Sequence, residues 1–181
     1  MHIPDRQHTF IIAPSASKAE RNWTIGGYAK LADYATSKGF KTFLCGGSSE
    51  SEKQQGKHIQ DEATTQIKSL VGQTSLKQML ALLKRASFVI APDTGPAHMA
   101  VTQGTPVIGL YAYSNPKRTG PYSYQDYVAE VYHKNLLKQY NKMDNQLPWG
   151  TRLKGKALMK DISVHKVIEQ FDQICATFEL R

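Results

Sequence analysis

Short apolar runs rich in β-branched and aromatic residues recur along the first two thirds of the chain. They are nearly continuous and do not alternate with polar residues, which is typical of strands buried on both faces of a parallel sheet. The predicted strands are 9–13, 41–45, a weaker one at 67–71, 88–91 and 106–111.

Segments with a helical spacing of apolar residues separate these runs, at 24–38, 51–66 and 75–85. Ser75 and Gln78 form a capping-box pattern at the start of the third segment. Its predicted buried face consists of Leu76, Met79, Leu80 and Leu83. Because strands and helices alternate, the pattern predicts an α/β fold, a Rossmann-like doubly wound parallel sheet with right-handed crossovers.

A single domain is predicted over residues 1–181, since a chain of this length has room for one ordinary core. That core is expected at about 9–132, with a further strand near 127–132. An irregular basic stretch is expected at about 133–162. A C-terminal helix at about 163–178 carries apolar residues at helical spacing, so we expect it to pack back on the core.

The charge of the chain favours an anionic partner, since 23 Lys and Arg against 15 Asp and Glu give a net charge of +8. No RNA-binding signature, zinc finger or arginine run accompanies that charge, so nucleic acid is not the expected partner. The apolar runs are shorter than a membrane span and no signal-peptide pattern is present, which makes the cytoplasm the expected location. Cys45 and Cys175 form neither a disulfide framework nor a zinc-binding pattern.

The loop after the fourth predicted strand carries the strongest functional signal. Ligands of open parallel sheets bind beyond the carboxyl ends of the strands, and this strand runs into Pro-Asp-Thr-Gly-Pro-Ala-His at 92–98. Gly95 permits a tight turn there, and the helix that follows directs its first amides at the crevice, where a diphosphate would bind. Asp93 and Thr94 could instead cap this helix, and His98 could instead have a structural role.

Two further loops at the same edge carry cations. The loop 14–23 combines small hydroxyl residues such as Ser17 with Arg21, which suits phosphate oxygens. The loop 114–122 carries Lys117 and Arg118, which could close over a sugar diphosphate. An ordinary exposed surface explains either loop equally well.

The turn 46–50 offers Gly47 for close approach of a ligand and Glu50 to accept hydrogen bonds from ribose hydroxyls, although a plain helix cap explains it equally well. The chain contains no D-x-D pair of carboxylates, so a metal clamp on a diphosphate is not expected. The helix dipole and the cations would have to offset the phosphate charge. No cofactor is expected.

Taken together, these motifs resemble the C-terminal domain of glycosyltransferase family 9, which contains the ADP-heptose:lipopolysaccharide heptosyltransferases. The similarity spans roughly residues 9–125, and the run 93–98 is its most specific part. The supporting motifs are Arg21-Asn22-Trp23, Gly46-Gly47-x-x-Glu50 and Gly120-Pro121-Tyr122.

The resemblance implies one half of a GT-B fold and an inverting, metal-independent transferase. The residues that it implies for the donor sugar and diphosphate are Asp93, Thr94, Gly95, His98, Ser17 and Arg21. Those implied for the nucleoside are Gly47, Glu50 and Thr74. The expected nucleotide-sugar is ADP-heptose.

The resemblance also implies a lipid A–core acceptor of lipopolysaccharide, bound by an N-terminal domain that supplies the general base and is missing here. We therefore expect donor binding without transfer by this chain alone. The stretch 134–160, with seven Lys or Arg and one acid, favours either a solvated face or peripheral contact with the inner membrane. Two alternatives stay open: a UDP-sugar 2-epimerase-like domain and a non-catalytic nucleotide- or polyanion-binding module.

Overall fold

The computed structural model of the chain describes residues 9–180, and the remaining ends of the predicted domain, 1–8 and Arg181, lie outside the described residues. Six parallel strands form one sheet in the order β3-β2-β1-β4-β5-β6. The strands are β1 Thr9–Ile12, β2 Lys41–Leu44, β3 Lys68–Ser69, β4 Phe88–Pro92, β5 Val107–Tyr111 and β6 Val128–Glu130. This doubly wound sheet confirms the predicted Rossmann-like α/β fold class.

Helices connect successive strands, and the short β3 follows from the weaker apolar run at that position. The helices are α1 Ile25–Ser37, α2 Glu50–Glu62, α3 Leu76–Arg85, α4 Gly95–Thr102, α5 Pro116–Thr119, α6 Tyr132–Tyr140 and α7 Val164–Thr177. Side-chain caps begin several of them: the hydroxyl of Thr24 accepts from the amide of Gly27, and that of Ser49 from the amide of Glu52. Gly39, at φ +85°, lies just beyond the end of α1, where a left-handed residue ends the helix.

The strands β1, β4 and β5 are buried on both faces, which is why their apolar runs are continuous. One face, which includes Phe10 and Ile12, packs against α1, part of α2 and α7. The opposite face, which includes Ile11, packs against α3 and α4. None of the helices within residues 9–180 combines the length and the apolar character that crossing a membrane requires.

Helix α3 begins with the predicted capping box of Ser75 and Gln78. Its buried face differs from the prediction, because Leu82 is buried with Met79 and Leu83 while Leu76 is 71% exposed. Leu76 lies on the same side of the helix as Met79 and Leu83. It is exposed because it is the first residue of the helix, beyond the edge of the core. Helical spacing alone does not show how far along the helix the core extends.

The prediction of an irregular stretch at 133–162 is wrong for its first part, where α6 forms. Tyr132 and Leu136 of α6 are buried against Leu153. Asn135, on the same buried face, donates a hydrogen bond to Asp161 at 3.1 Å. A polar residue on the buried face interrupts the apolar spacing, so the helix is not evident from the sequence.

Helix α7 packs on the core, as expected from its apolar spacing. The ring of Phe171 makes edge contacts with Phe10, Phe40 and Phe88 at centroid distances of 5.5, 5.4 and 4.9 Å. The next residue of α7, Asp172, accepts a hydrogen bond from the hydroxyl of Tyr34 at 2.7 Å. The C-terminal helix is therefore an integral part of the domain.

Candidate functional site

The strand order reverses between β1 and β4, and the loops that follow these two strands border the same crevice. At such a switch point the crossover helices lie on opposite faces of the sheet, which leaves a cleft outside the carboxyl ends of the strands. Thr94, after β4, donates its hydroxyl to the carbonyl of Ser15, after β1, at 3.0 Å. This hydrogen bond joins the two loops directly.

Asp93 lies at the centre of this crevice and is held from three directions. Its Oδ2 accepts from Nη1 of Arg21 at 3.2 Å and from the hydroxyl of Ser114 at 3.0 Å. Nε2 of His98, one turn into α4, is 3.9 Å from Oδ1. The loops after β1, β4 and β5 therefore converge on one carboxylate, although Arg21, Asp93 and Ser114 are far apart in sequence.

The ionised form of Asp93 is favoured in spite of partial burial. Burial raises its pKa, but the nearby His98 imidazole, the hydrogen bond from Ser114 and the charge of Arg21 outweigh that effect and lower the pKa below the usual value. The nearby Asp93 carboxylate raises the pKa of His98, against an opposing effect of burial. The site therefore contains a fixed negative charge surrounded by donors that can also reach a ligand.

The N-terminus of α4 is open to the crevice. Thr94 occupies the N-cap position, but its side chain makes no capping hydrogen bond to the helix, because the hydroxyl is directed at Ser15. Pro96 lies in the first turn, where its missing N–H costs no hydrogen bond. A Cβ placed on Gly95 would meet nothing within 4 Å. The first turn can thus accept an anion, and Gly95 leaves it room.

The loop after β1 is fixed by two amide side chains, Asn22 of the Arg21-Asn22-Trp23 motif and Gln55, which the sequence did not single out. Asn22 accepts from the amide of Ala16 at 2.7 Å and donates to Gln55 at 3.0 Å. Gln55, from α2, also accepts from Ser15 at 2.8 Å and donates to the carbonyl of Pro14 at 3.1 Å. Asn22 follows β1, whereas Gln55 lies within α2, where no strand-end pattern pointed to it.

A cleft of about 410 Å³ lies beside this loop, and the predicted phosphate-binding residue Ser17 lines it. Trp23 also lines the cleft and is itself anchored, because its Nε1 donates to the carbonyl of Ile162 at 2.9 Å. Glu52 reaches the same cleft from the first turn of α2. The cleft extends from the loop after β1 towards the turn after β2.

The turn after β2 presents Glu52 where the sequence pointed to Glu50. Glu52 accepts a short hydrogen bond from the amide of Gly47 and a second one from Ser49 at 3.2 Å. Glu50 is exposed and lies 3.8 Å from Lys53 of the next helical turn. A Cβ on Gly46 or Gly47 would come within 2.9 Å of the Glu52 carboxylate, so both glycines permit this approach.

The remaining predicted residues, Thr74, Lys117 and Arg118, form no hydrogen bond or ion pair with Asp93 within residues 9–180. Thr74, just before α3, has a buried hydroxyl without a hydrogen-bond partner among the described residues. Lys117 pairs with Asp144 at 3.3 Å, and Arg118 lies against the backbone of Gly150. Neither cation contacts Asp93; Ser114, at the start of the same loop, does so.

The fold and the crevice define the class: a Rossmann-like α/β domain whose polar site lies at the topological switch point, beside a helix N-terminus. The sequence profile of "Glycosyltransferase family 9 (heptosyltransferase)" matches residues 2–149. The chain belongs to this family.

Curated relatives agree with the family assignment. The chain is 43% identical over 164 residues to the lipopolysaccharide core heptosyltransferase OpsX of Haemophilus influenzae, covering 91% of this chain and 47% of that protein. It is 28% identical over 121 residues to lipopolysaccharide heptosyltransferase 2 of Escherichia coli, covering 63% and 34%. The chain thus spans about half or less of the length of the relatives that it matches.

Solved structures share the fold. A glycosyl transferase family 9 structure from Veillonella parvula matches with a TM-score of 0.75 at 23% identity, covering 97% of this chain and 48% of that one. The ADP-heptose lps heptosyltransferase II of E. coli matches with a TM-score of 0.74 at 20% identity, covering 98% and 49%. The described domain therefore corresponds in fold to one half of these GT-B proteins.

Proposed function

We propose that this domain binds the nucleotide-sugar donor, ADP-heptose, of a heptosyltransferase that builds the lipopolysaccharide core. The observation that carries the proposal is the convergence of Arg21, His98 and Ser114 on Asp93 at the open N-terminus of α4. Membership of family 9 and the 43% identity to a core heptosyltransferase support the same conclusion.

Asp93 is the group that we assign to the donor sugar. Its carboxylate is ionised and is therefore a strong acceptor for sugar hydroxyls. Within residues 9–180, Oδ1 pairs only with the distant His98, whereas Oδ2 is occupied by Arg21 and Ser114. A heptose hydroxyl would bind at Oδ1, and its affinity would depend on the position that Ser114 gives the carboxylate.

The diphosphate would lie at the first turn of α4, beside Gly95 and Thr94. Arg21 is shared with Asp93 and retains further N–H donors for phosphate oxygens. His98, whose pKa is raised, supplies a second cation at the lower end of the physiological pH range. Helix dipole and cations would then stabilise the leaving group without a divalent metal.

The nucleoside would lie along the cleft that runs from Ser17 towards the turn after β2. The carboxylate of Glu52 lies at this turn, where it accepts a hydrogen bond from the Gly47 amide. A ribose hydroxyl could replace that amide as the donor to Glu52. Glu50 and Thr74 stay predicted nucleoside contacts, since neither is among the residues that line the cleft. E. coli WaaC, a structural neighbour of 16% identity, has been solved with ADP, in line with an adenine nucleotide.

The transfer reaction would require the half of the relatives that this chain does not span. An acceptor hydroxyl of the lipid A–core would attack the anomeric carbon, a base from that other half would take its proton, and ADP would leave with inversion. Because the acceptor is a membrane lipid, the complete enzyme would work in peripheral contact with the inner membrane, from the cytoplasm.

Calorimetric titration of the chain with ADP, ADP-heptose, UDP and UDP-GlcNAc, with EDTA and then with Mg²⁺, tests the proposal. We expect adenine ligands to bind preferentially and equally well in both buffers. Arg21→Ala should weaken ADP binding by about tenfold, the value of a charge-assisted contact to phosphate. Arg85→Ala, which removes an exposed arginine of α3, is the matched control and should bind like the parent.

Other outcomes identify the alternatives. A preference for uridine ligands would favour a UDP-sugar 2-epimerase-like domain. Equal, weak and strongly salt-dependent binding of every polyanion, with no loss in Arg21→Ala, would favour a non-catalytic polyanion-binding module. Binding that appears only with Mg²⁺ would contradict the metal-independent mechanism.

A further inference from the structure

The amino ends of β2 and β3 diverge at one edge of the sheet. β2 pairs with β1 from Lys41 onwards, whereas its pairing with β3 begins only at Phe43. Lys41 and Thr42 therefore have no partner in β3, which is itself only two residues long. Because the strands are parallel, their amino ends lie at the edge of the sheet opposite to the donor crevice, which lies beyond the carboxyl ends.

A cleft of about 610 Å³ lies where the two strands diverge. Its apolar walls are Phe40, Phe43 and Ile67, all of them buried. Gln60 of α2 fixes one wall, since its side-chain amide donates to the carbonyl of Ile67 at 2.7 Å. The remaining uncharged side chains of the lining are polar, namely Thr36, Thr42, Gln60, Gln66 and Ser69. Sites for small molecules have this mixture and volumes of about 300–1,000 Å³.

Two cations also line the cleft, and no Asp or Glu is among the described residues of its lining. Lys41 and Lys68 are both exposed, and within residues 9–180 neither forms an ion pair. Side chains alternate along a strand, so Lys41 shares a face of the sheet with Phe43, and Lys68 shares it too because it pairs with Phe43. The two flexible lysine stems can therefore bring their ammonium groups to one anion beside the phenyl ring.

The cleft also has a buried hydroxyl that lacks a hydrogen-bond partner. Thr42 lines the cleft and is 5% exposed, and its Oγ1 makes no hydrogen bond to any of the described residues. Buried polar groups are nearly always hydrogen-bonded, because leaving one unpaired costs free energy. An acceptor oxygen of a ligand in the cleft would satisfy this hydroxyl.

We propose that this cleft is a second ligand site, separate from the donor crevice, for a small amphipathic anion. The ligand carries a carboxylate or phosphate group on an apolar body. Lys41 and Lys68 bind the anionic group, Phe43 packs on the apolar body, and Thr42 donates its hydroxyl to a ligand oxygen. The inference does not depend on the proposed function, since the residues of the cleft take no part in the donor crevice.

A strand of a second copy of the chain is a different occupant of this edge, and the structure favours the small anion. β3 offers only Lys68 and Ser69 for strand pairing. An exposed lysine on a short edge strand opposes edge-to-edge pairing, since two copies would bring like charges together. The same lysine attracts an anion.

Amide-resolved NMR tests the site with the chain as it stands. Phenylpropionate and octyl phosphate would be titrated with and without saturating ADP, and phenylpropanol and inorganic phosphate are the comparison ligands. We expect saturable shifts with at least one amphipathic anion at the amides of Lys41, Thr42, Phe43 and Lys68. The amides at the first turn of α4 should not respond, and ADP should leave the affinity unchanged.

Charge variants test the role of the two lysines. Lys41→Ala and Lys68→Ala should each weaken binding of the anion by about fivefold, the value of a solvent-accessible charge contact. Lys30→Ala, which removes an exposed cation of α1, is the matched control and should bind like the parent. Equal losses in all three variants would show a general effect of net charge and would contradict the site.

A pair of threonine variants tests the buried hydroxyl. Thr42→Val should weaken binding without lowering the melting temperature, because the unliganded chain loses only a hydroxyl that has no partner among the described residues. Thr9→Val is the matched control: Thr9 is a buried threonine of β1 whose hydroxyl also lacks a described partner, and it does not line the cleft. It should keep the parental affinity.

Four results would contradict the inference. The first is the absence of saturable shifts in β2 and β3 with both amphipathic anions. The second is equal affinity for phenylpropanol, which would show an apolar cleft that does not recognise charge. The third is equal affinity for inorganic phosphate, which would show an adventitious ion only. The fourth is displacement by ADP, which would assign the shifts to the donor crevice.

Discussion

The hydroxyl of Ser114 donates a hydrogen bond of 3.0 Å to Oδ2 of Asp93 and so joins the ends of two neighbouring strands. Ser114 is itself buried, and its hydroxyl lies 3.2 Å from that of Thr119 in α5. Arg21 holds the same Oδ2 from the other side of the crevice. The position of the Asp93 carboxylate is therefore set by β5 as much as by its own loop.

Ser114→Ala should lower the free energy of unfolding by about 1–3 kcal/mol, because a buried hydrogen bond to a charged group is lost. Urea denaturation at neutral pH measures this loss. Ser123→Ala, which removes an exposed hydroxyl, is the control and should change stability little. Equal stability of the two variants would show that the Ser114 contact contributes nothing.

The stability that His98 contributes should depend on pH with a defined sign. The pKa of His98 is raised, so its contribution is complete below the ordinary imidazole pKa and is lost as pH rises through the raised value. The pKa of Asp93 is lowered, so its contribution is complete above the ordinary carboxyl pKa and is lost as pH falls through the lowered value. The stabilising contributions of His98 and Asp93 are therefore both complete between about pH 4 and 6.5.

Urea denaturation of the parent chain and His98→Gln between pH 3 and 9 checks this dependence. The difference in unfolding free energy should be greatest inside the window from about pH 4 to 6.5 and should shrink on either side. His58→Gln, at an exposed position of α2, provides the background for loss of a histidine. If the difference in unfolding free energy between the parent and His98→Gln grew towards pH 9, the predicted pH dependence would be contradicted.

Gly95→Ala separates ligand contact from folding. Since a Cβ there would meet nothing within 4 Å, the melting temperature should stay close to that of the parent, while ADP-heptose binding falls because the methyl group fills the diphosphate position. Gly120→Ala is the contrasting variant, because its Cβ would collide with the backbone carbonyl oxygen of Pro116 and should destabilise the fold. If Gly95→Ala bound ADP-heptose as tightly as the parent, the N-terminus of α4 would not be part of the donor site.

Phe171→Ala should cost about 3–5 kcal/mol of stability, since it opens a cavity among rings that are themselves fully packed. Phe171 is 0% exposed, whereas Phe178 near the end of the chain is 41% exposed. Phe178→Ala is therefore the matched control. Similar melting temperatures for the two variants would mean that α7 does not complete the core.

Much of the fold was predictable because local patterns and tertiary structure agree. Continuous apolar runs predicted the strands, and the capping-box pair Ser75 and Gln78 predicted where α3 begins. Helix α6 escaped detection, since its buried face includes Asn135, which is satisfied by Asp161 from a distant turn. Such a pairing cannot be inferred from helical spacing.

The candidate site was predictable at the level of loops and less so at the level of single residues. The strand order brings Arg21 and Asp93 together, as the rule for strand ends suggests. The choice of Glu52 over Glu50 at Gly47 depends on the helical phase of α2, which begins one residue after its cap, Ser49. Ser114 and Arg152 meet through a bridge between segments that are distant in sequence.

The most direct test of the central claim is the ratio of ADP-heptose to ADP affinity in the parent chain and in Asp93→Asn, measured by calorimetry in EDTA. If Asp93 binds the donor sugar, the parent should prefer ADP-heptose, and the variant should lose about tenfold of that preference while its ADP affinity changes little. Asp61→Asn, an exposed acid of α2, should keep the parental ratio. An unchanged ratio in Asp93→Asn, or a parent chain that binds no adenine nucleotide, would contradict the account.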